Sequence, residues 1–180
     1  MAATPTRLMT LREFEQLPDP VRLRQELRHG EVFEMAPPKM DHAGVQRQLR
    51  RLLESAARRP GIVEKEVGFV AGNRNFRIAD VAFISKTRWD AAKDYLEGAP
   101  ELVIEVLSAS NTVAEINDKE QICFENGCEE FWSVDPVFRV VKIATPDGRS
   151  MGYRRGQSIP LGLRNGAALS VDAIFDSLAD

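Results

Sequence analysis

Two stretches of this chain are apolar enough to be buried on both sides, and each is interrupted by a single acid. They are Ala79-Asp80-Val81-Ala82-Phe83-Ile84 and Leu102-Val103-Ile104-Glu105-Val106-Leu107. Near-continuous apolar runs of this length read as central strands of a sheet covered on both faces. A lone carboxylate in such a strand is costly unless it is paired, protonated or bound to a cation. Neighbouring strands lie about 4.8 Å apart. If these two are adjacent and in register, Asp80 and Glu105 converge on a gap suited to Mg²⁺ or Mn²⁺, which take oxygen ligands. Salt bridges or strand-end caps are the alternative, and two acids alone do not decide between them. Glu101 shares a face with Glu105, but four residues of strand separate them by about 13 Å, which places Glu101 at the strand entry.

The flanking segments set these strands in one α/β domain. Thr10-Leu-Arg-Glu13 is a capping box that opens a short helix ending before Pro18. Gln25 to Glu34 reads as a β-hairpin turning at His29-Gly30, and Pro37-Pro38 ends its second strand. From Asp41 to about Arg59, Val45, Leu49, Leu52, Leu53 and Ala56 recur on one helical face, with Arg47, Arg50, Arg51 and Arg58 mostly off it. Further strands are expected over Ile62–Val70, Phe76–Ile84, Phe131–Val134, Val137–Ile143 and Met151–Arg155. Thr112-Val-Ala-Glu115 is a second capping box, for a helix that ends at Gly127. A short closing helix is expected within Ala168–Asp180. The expected organisation is an extension over residues 1–9 and a single domain over 10–180, with a mixed central sheet and flanking helices.

Lys119 is the residue that turns two acids into a candidate site. On the helix after Thr112, the residues Val113, Ile116, Glu120 and Cys123 fall on one arc, and Lys119 borders it on the far side of Ile116. Its amine could reach over the sheet to Glu105. A lysine beside metal-bound carboxylates can orient a water nucleophile or stabilise a pentacovalent phosphate. A boundary lysine with a buried stem and a wet head is the commoner case.

Composition narrows the classes. The 180 residues are 43% hydrophobic and 28% charged, which is globular rather than disordered. No apolar run approaches the roughly 20 residues of a membrane span. No secretory signal is visible, and two cysteines are too few for a disulfide framework, so a cytoplasmic protein with reduced thiols is expected. The net charge of −3 argues against wholesale coating of nucleic acid. Residues 61–135 carry 15 acids against 7 Lys and Arg, whereas residues 1–60 carry 11 Lys and Arg against 8 acids. An acidic centre beside a basic flank suits metal ions in the middle and phosphates at the edge, although ordinary solvated charge gives the same split. His29 reads as a turn residue, Trp89 and Trp132 as packing residues, although an exposed Trp89 could stack on a base, Cys123 as buried and Cys128 as a turn residue.

The blocks Ala99-Pro-Glu-Leu-Val-Ile-Glu-Val-Leu-Ser108, Lys119 and Gly127-Cys-Glu-Glu-Phe-Trp-Ser-Val-Asp-Pro136 together resemble the Uma-two family of restriction endonucleases, within the PD-(D/E)XK nuclease superfamily. The likeness extends through Glu26-Leu-Arg-His-Gly30, Asp80-Val-Ala-Phe-Ile84 and Val171-Asp-Ala-Ile-Phe175, covering roughly residues 10 to 176. The resemblance implies a restriction-endonuclease-like core and a Mg²⁺- or Mn²⁺-dependent phosphodiesterase site acting on nucleic acid, with DNA the expected substrate. Asp80 matches the first motif acid and Glu105 the second, both as metal ligands. Superfamily lysines usually follow that acid by two positions, where this chain has Leu107, and Lys119 matches a lysine displaced to the next helix. Glu26 matches an acid at the family hairpin and His42 a histidine before the long helix, and both are candidate catalytic residues. Departures are Ala79 for a proline, Cys123 for an aromatic and Ala109 for a proline, none of which removes a candidate ligand. Arg47, Arg50 and Arg51 could steer the nucleic-acid backbone, and a symmetric homodimer would let so small a nuclease engage both strands. Two other readings stay open. One is a catalytically silent nuclease-fold module that binds nucleic acid or a protein partner, and the other is a structural protein in which Lys119 simply pairs Asp80 or Glu105.

Overall fold

The computed structural model describes residues 7–18, 24–35, 37–56, 60–162, 167–176 and 178. The ends expected for the long helix at Arg58–Arg59 and for the chain at Asp180, and residues 1–6 of the expected extension, lie outside these. In chain order the elements are α1 (Leu11–Phe14), β1 (Arg24–Arg28), β2 (Glu31–Met35), α2 (Met40–Ala56), β3 (Gly61–Val70), β4 (Phe76–Ser85), α3 (Lys86–Ala91), β5 (Leu96–Glu97), β6 (Leu102–Val106), α4 (Val113–Glu125), β7 (Glu130–Asp135), β8 (Val140–Ala144), β9 (Ser150–Tyr153), β10 (Ser158–Pro160), β11 (Ala168–Ser170) and α5 (Val171–Phe175). The main sheet runs β2-β1-β4-β6-β7-β8-β9, with β3 also paired to β4 and β5 to β3. β6 and β7 are parallel and β4 and β6 antiparallel, so the sheet is mixed, as expected. β10 and β11 form a separate ribbon. Among the described residues no helix is long and apolar enough to cross a membrane.

Alternation along the strands splits the core into two layers. Leu102, Ile104 and Val106 of β6 pack with Trp132 and Val134 of β7 against Val45, Leu49 and Leu53 of α2. Val103 and Phe131 face the other way, against Ile122 and Cys123 of α4. The i, i+4, i+8 stripe read on α2 is therefore the buried one, and α2 and α4 cover opposite faces of the sheet.

Some expectations shift in detail. Both capping boxes form, Thr10 with Glu13 and Thr112 with Glu115, because each hydroxyl and carboxylate satisfies backbone N–H groups that a helix start leaves unpaired. The strand expected from Val137 begins only at Val140. Asp135 Oδ1 accepts from the N–H groups of Val137 and Phe138, and Arg139 takes φ +50°, so Val137–Arg139 make a turn instead. On α4 the buried residues are Lys119, Ile122 and Cys123, while Val113 is 78% exposed. The helix is thus rolled so that its lysine, rather than its first valine, faces the buried acids. Cys128 closes the turn that ends α4, its N–H donating to Cys123 O at 3.0 Å, and it is buried as well. The tail forms a short strand, β11, before α5, and the short elements α3, β5 and β10 carry too little periodicity to be read from sequence.

The β1–β2 hairpin turns at His29 (φ +50°) and Gly30 (φ +88°), with Arg28 opposite Glu31. Two positive φ angles in a two-residue loop match the right-handed twist of the strands. A Cβ on Gly30 would meet Leu8 Cβ at 2.8 Å and Met9 O at 3.0 Å. Gly30→Ala should therefore cost about 1–3 kcal/mol in denaturant unfolding. A loss below about 0.5 kcal/mol would mean that the turn is not the strained, crowded point described here.

Candidate active site

The site is built where the sheet parts. One edge of β4 is paired along its length with β3. Its other edge is shared: β1 meets it only at Leu27–Phe76, and β6 only at Val81–Ile104, Ala82–Val103 and Phe83–Leu102. Between these contacts the backbone of Ile78 and Asp80 has no strand partner on that edge, and a buried unpaired N–H or C=O is costly. Side chains take over the pairing. Glu26 Oε1 accepts from Ile78 N at 2.9 Å, Lys119 Nζ donates to Ile78 O at 2.6 Å, and Glu105 Oε1 accepts from Asp80 N at 3.4 Å. Asp80 Oδ2 in turn accepts from Val106 N at 2.8 Å. Extending the β4–β6 register by one step sets Asp80 opposite Glu105. The adjacency and register that would bring the two acids together are both present.

Lys119 reaches this gap from the α4 side. Its Nζ lies 2.8 Å from Glu105 Oε1 and 3.3 Å from Glu26 Oε1. Asp80 is approached from the α2 side: Gln46 Nε2 donates to its Oδ1 at 2.9 Å, and His42 Nε2 lies 3.2 Å from its Oδ2. His42 Nε2 is buried and makes no hydrogen bond among the described residues. The structure thus brings Asp80, Glu105, Lys119 and Glu26 into one cluster with His42 at its rim. Arg47 and Arg51 are exposed on α2, whereas Arg50 is tied to Val63 O, Glu54 and Glu64. His29 bonds Asp118 outside the cluster, Trp132 is buried in the core as a packing residue, and Trp89 is not, being 40% exposed on α3.

Several contributors are not apparent from sequence. Gln46 is buried and also donates to Glu66 Oε1 at 2.9 Å. Its position four residues after His42, beside Val45 and Leu49, was the available signal. Glu66 has φ +56°, and β3–β4 pairing lapses there, opposite Asp80. Arg77, 2% exposed, bonds Asp118 Oδ2 at 2.5 Å and lies 3.9 Å from Glu26 Oε2. A charge in the apolar run of β4 could have flagged it, as it flagged Asp80. Arg28 bonds Glu26 Oε2 at 2.8 Å and Glu115 Oε1 at 3.1 Å.

The carboxylates are held in different states. Burial opposes ionisation of Glu26, but Lys119, Arg28, the Ile78 N–H and Arg77 outweigh it and lower its pKa to about 2. Burial also opposes ionisation of Asp80, and His42, Lys119 and the Val106 N–H hold its pKa below the usual carboxylate value. Glu105 goes the other way. Burial raises it to about 7 against the pull of Lys119, and Asp80 and Glu26 add to the rise. Lys119 resists the effect of its own burial because Glu105, Glu26 and Asp80 surround it, and its pKa is raised.

These features fit a hard divalent cation. Asp80 and Glu105 face one another across the gap, Glu105 Oε2 is reached by no donor among the described residues because Lys119 and the Asp80 N–H both meet Oε1, and the buried His42 Nε2 makes no hydrogen bond among those residues, lying 3.2 Å from Asp80 Oδ2. No group of three or more His, Cys, Asp or Glu side chains is placed to hold an ion among the described residues. The protein would supply the two carboxylates of Asp80 and Glu105 and leave the remaining positions to water, as Mg²⁺ commonly requires.

Comparison with known proteins agrees with the architecture. Residues 11–178 match the family model described as "Uma2: Putative restriction endonuclease". No curated protein matches. A crystal structure described as a putative nuclease belonging to DUF820 from Anabaena variabilis superposes with a TM-score of 0.82 at 20% identity, over 95% of this chain and 99% of that one. At that identity the likeness shows the shared fold, a restriction-endonuclease-like mixed sheet with flanking helices.

Proposed function

The chain belongs to the Uma2 family, and on that premise we propose that it is a divalent-metal-dependent endonuclease hydrolysing phosphodiester bonds, with DNA as substrate and Mg²⁺ or Mn²⁺ as cofactor. The observation that carries this reading is the meeting of Asp80, Glu105 and Lys119 at the parted edge of β4. Asp80 and Glu105 would hold the ion, which when bound would polarise the phosphate and acidify a water. Gln46 fixes the Asp80 carboxylate by its hydrogen bond to Oδ1. Lys119 is placed to orient the water or neutralise charge developing on the phosphate. The exposed Arg47 and Arg51 offer contacts to the backbone of the nucleic acid. A homodimer would bring two such sites to the two strands of a duplex.

The test is nicking of supercoiled plasmid. Wild type should nick with Mg²⁺ or Mn²⁺ and not in chelator, and Asp80→Ala and Lys119→Ala should each lose at least about 100-fold while keeping a folded circular dichroism spectrum. Equal nicking by wild type and both variants would overturn the assignment. A second reading, a silent nuclease-fold module that binds nucleic acid or a protein partner, is favoured by one observation. The Lys119 amine already has three acceptors, in Glu105, Glu26 and Ile78 O. That reading expects metal-independent DNA binding without nicking.

A further inference from the structure

We propose that Glu26 is a positioning residue for Lys119: it anchors the amine when a divalent ion draws Glu105 away, so that the Lys119–Glu105 pair is the ion-free state of a partner exchange. The inference rests on the nuclease reading above.

An ammonium has three N–H groups. Those of Lys119 meet Ile78 O at 2.6 Å, Glu105 Oε1 at 2.8 Å and Glu26 Oε1 at 3.3 Å. A lysine held in this way has no N–H left for a water or a phosphate. To serve in hydrolysis it must open one bond, and the three partners are not equally fixed. Ile78 O belongs to the backbone of β4, which is paired with β3 through Ile78–Gly68. Glu26 is 2% exposed, and both its oxygens have other donors: Ile78 N on Oε1, and Arg28 on Oε2 with Arg77 farther off. Arg28 is itself held by Glu115 and lies 4.6 Å over the Phe33 ring. Glu105 is the loosest. Besides Lys119 it has only the 3.4 Å contact from Asp80 N among the described residues.

Charge points the same way. A divalent ion shared by Asp80 and Glu105 competes with the ammonium for Glu105 and repels it. The amine then turns on the two partners that cannot leave, and one N–H comes free. The α4 backbone cannot follow, because Asp118 is tied to His29 at 2.6 Å and to Arg77 at 2.5 Å, and Glu115 to Arg28. Glu26 therefore acts through Lys119, and its oxygens are already committed to donors rather than open to the ion.

The experiment observes the side-chain ammonium signals of ¹⁵N-labelled protein, whose chain has six lysines, during a Mg²⁺ titration followed in parallel by calorimetry. The Lys119 signal is the one removed by Lys119→Arg or Lys119→Met. In wild type, Mg²⁺ should shift it while leaving it protected from solvent exchange. In Glu26→Gln, Mg²⁺ should send it into fast exchange, because the anchor is gone. Lys119→Met, which removes the competing cation, should bind Mg²⁺ about tenfold more tightly at pH 8. If Lys119→Met does not fold, the comparison of wild type with Glu26→Gln still decides. Mg²⁺ binding without a shift of the Lys119 signal, or Glu26→Gln behaving as wild type, would overturn the exchange and leave the nuclease reading in place. No Mg²⁺ or Mn²⁺ binding by wild type would overturn both.

Discussion

Lys119→Met should lower the unfolding free energy by about 3–5 kcal/mol at pH 8, a large share of the 5–15 kcal/mol typical of a domain. The substitution removes the cation that meets Glu105, Glu26 and Ile78 O together and leaves three buried acids facing one another. Methionine matches the length of the stem, so the loss is electrostatic and not a cavity. The deficit should shrink as pH falls toward about 7, because Glu105 freed of the pull of Lys119 takes up its proton at a higher pH than in wild type and the neutral acid no longer needs the ammonium. Denaturant unfolding of wild type and variant at pH 8 and pH 5.5 measures both quantities. A variant as stable as wild type at pH 8 would mean that the pairing carries no net stability.

Wild type should lose about 3 kcal/mol of stability between pH 5 and pH 2 through Glu26 alone. Its folded pKa of about 2 lies below the unfolded value of 4.5, so the unfolded chain binds the proton more readily. The contribution is fully present above 4.5 and is lost as pH falls toward 2. Glu105 has the opposite sign. Its folded pKa of about 7 lies above 4.5, so its contribution is present at low pH and lost as pH rises from 4.5 to 7. The two together put the ion-free stability maximum near pH 5. Glu26→Gln should flatten the acid limb and leave the limb between pH 5 and 7. An acid limb that persists unchanged in Glu26→Gln would assign the loss to other carboxylates.

The parts of the site that were legible in sequence are those whose chemistry clashes with their surroundings. Asp80 and Glu105 stand out because each breaks an apolar strand, and the strands prove to be neighbours in the needed register. The α2 stripe and both capping boxes are local patterns, and they form as read. The position of Lys119 was understated, because helical periodicity counts apolar residues and treats a lysine as an edge. It cannot register that three acids below the helix make the lysine the residue to bury. The parting of β4 from β1 and β6 was not legible at all. It depends on β1 meeting β4 at one residue, a tertiary fact with no local pattern. Gln46, Glu66 and Arg77 depend on tertiary placement in the same way: Gln46 holds Asp80 from the α2 side and is itself bonded to Glu66 of β3, and Arg77 secures Asp118, the residue before Lys119.

The most direct measurement is a calorimetric titration of Mn²⁺ and Mg²⁺ into wild type and Glu105→Ala, with plasmid nicking assayed on the same samples. Wild type should bind the ion and nick, and Glu105→Ala should lose both together while remaining folded. Ion binding and nicking that survive undiminished in Glu105→Ala, or a wild type that binds neither ion, would contradict the nuclease reading.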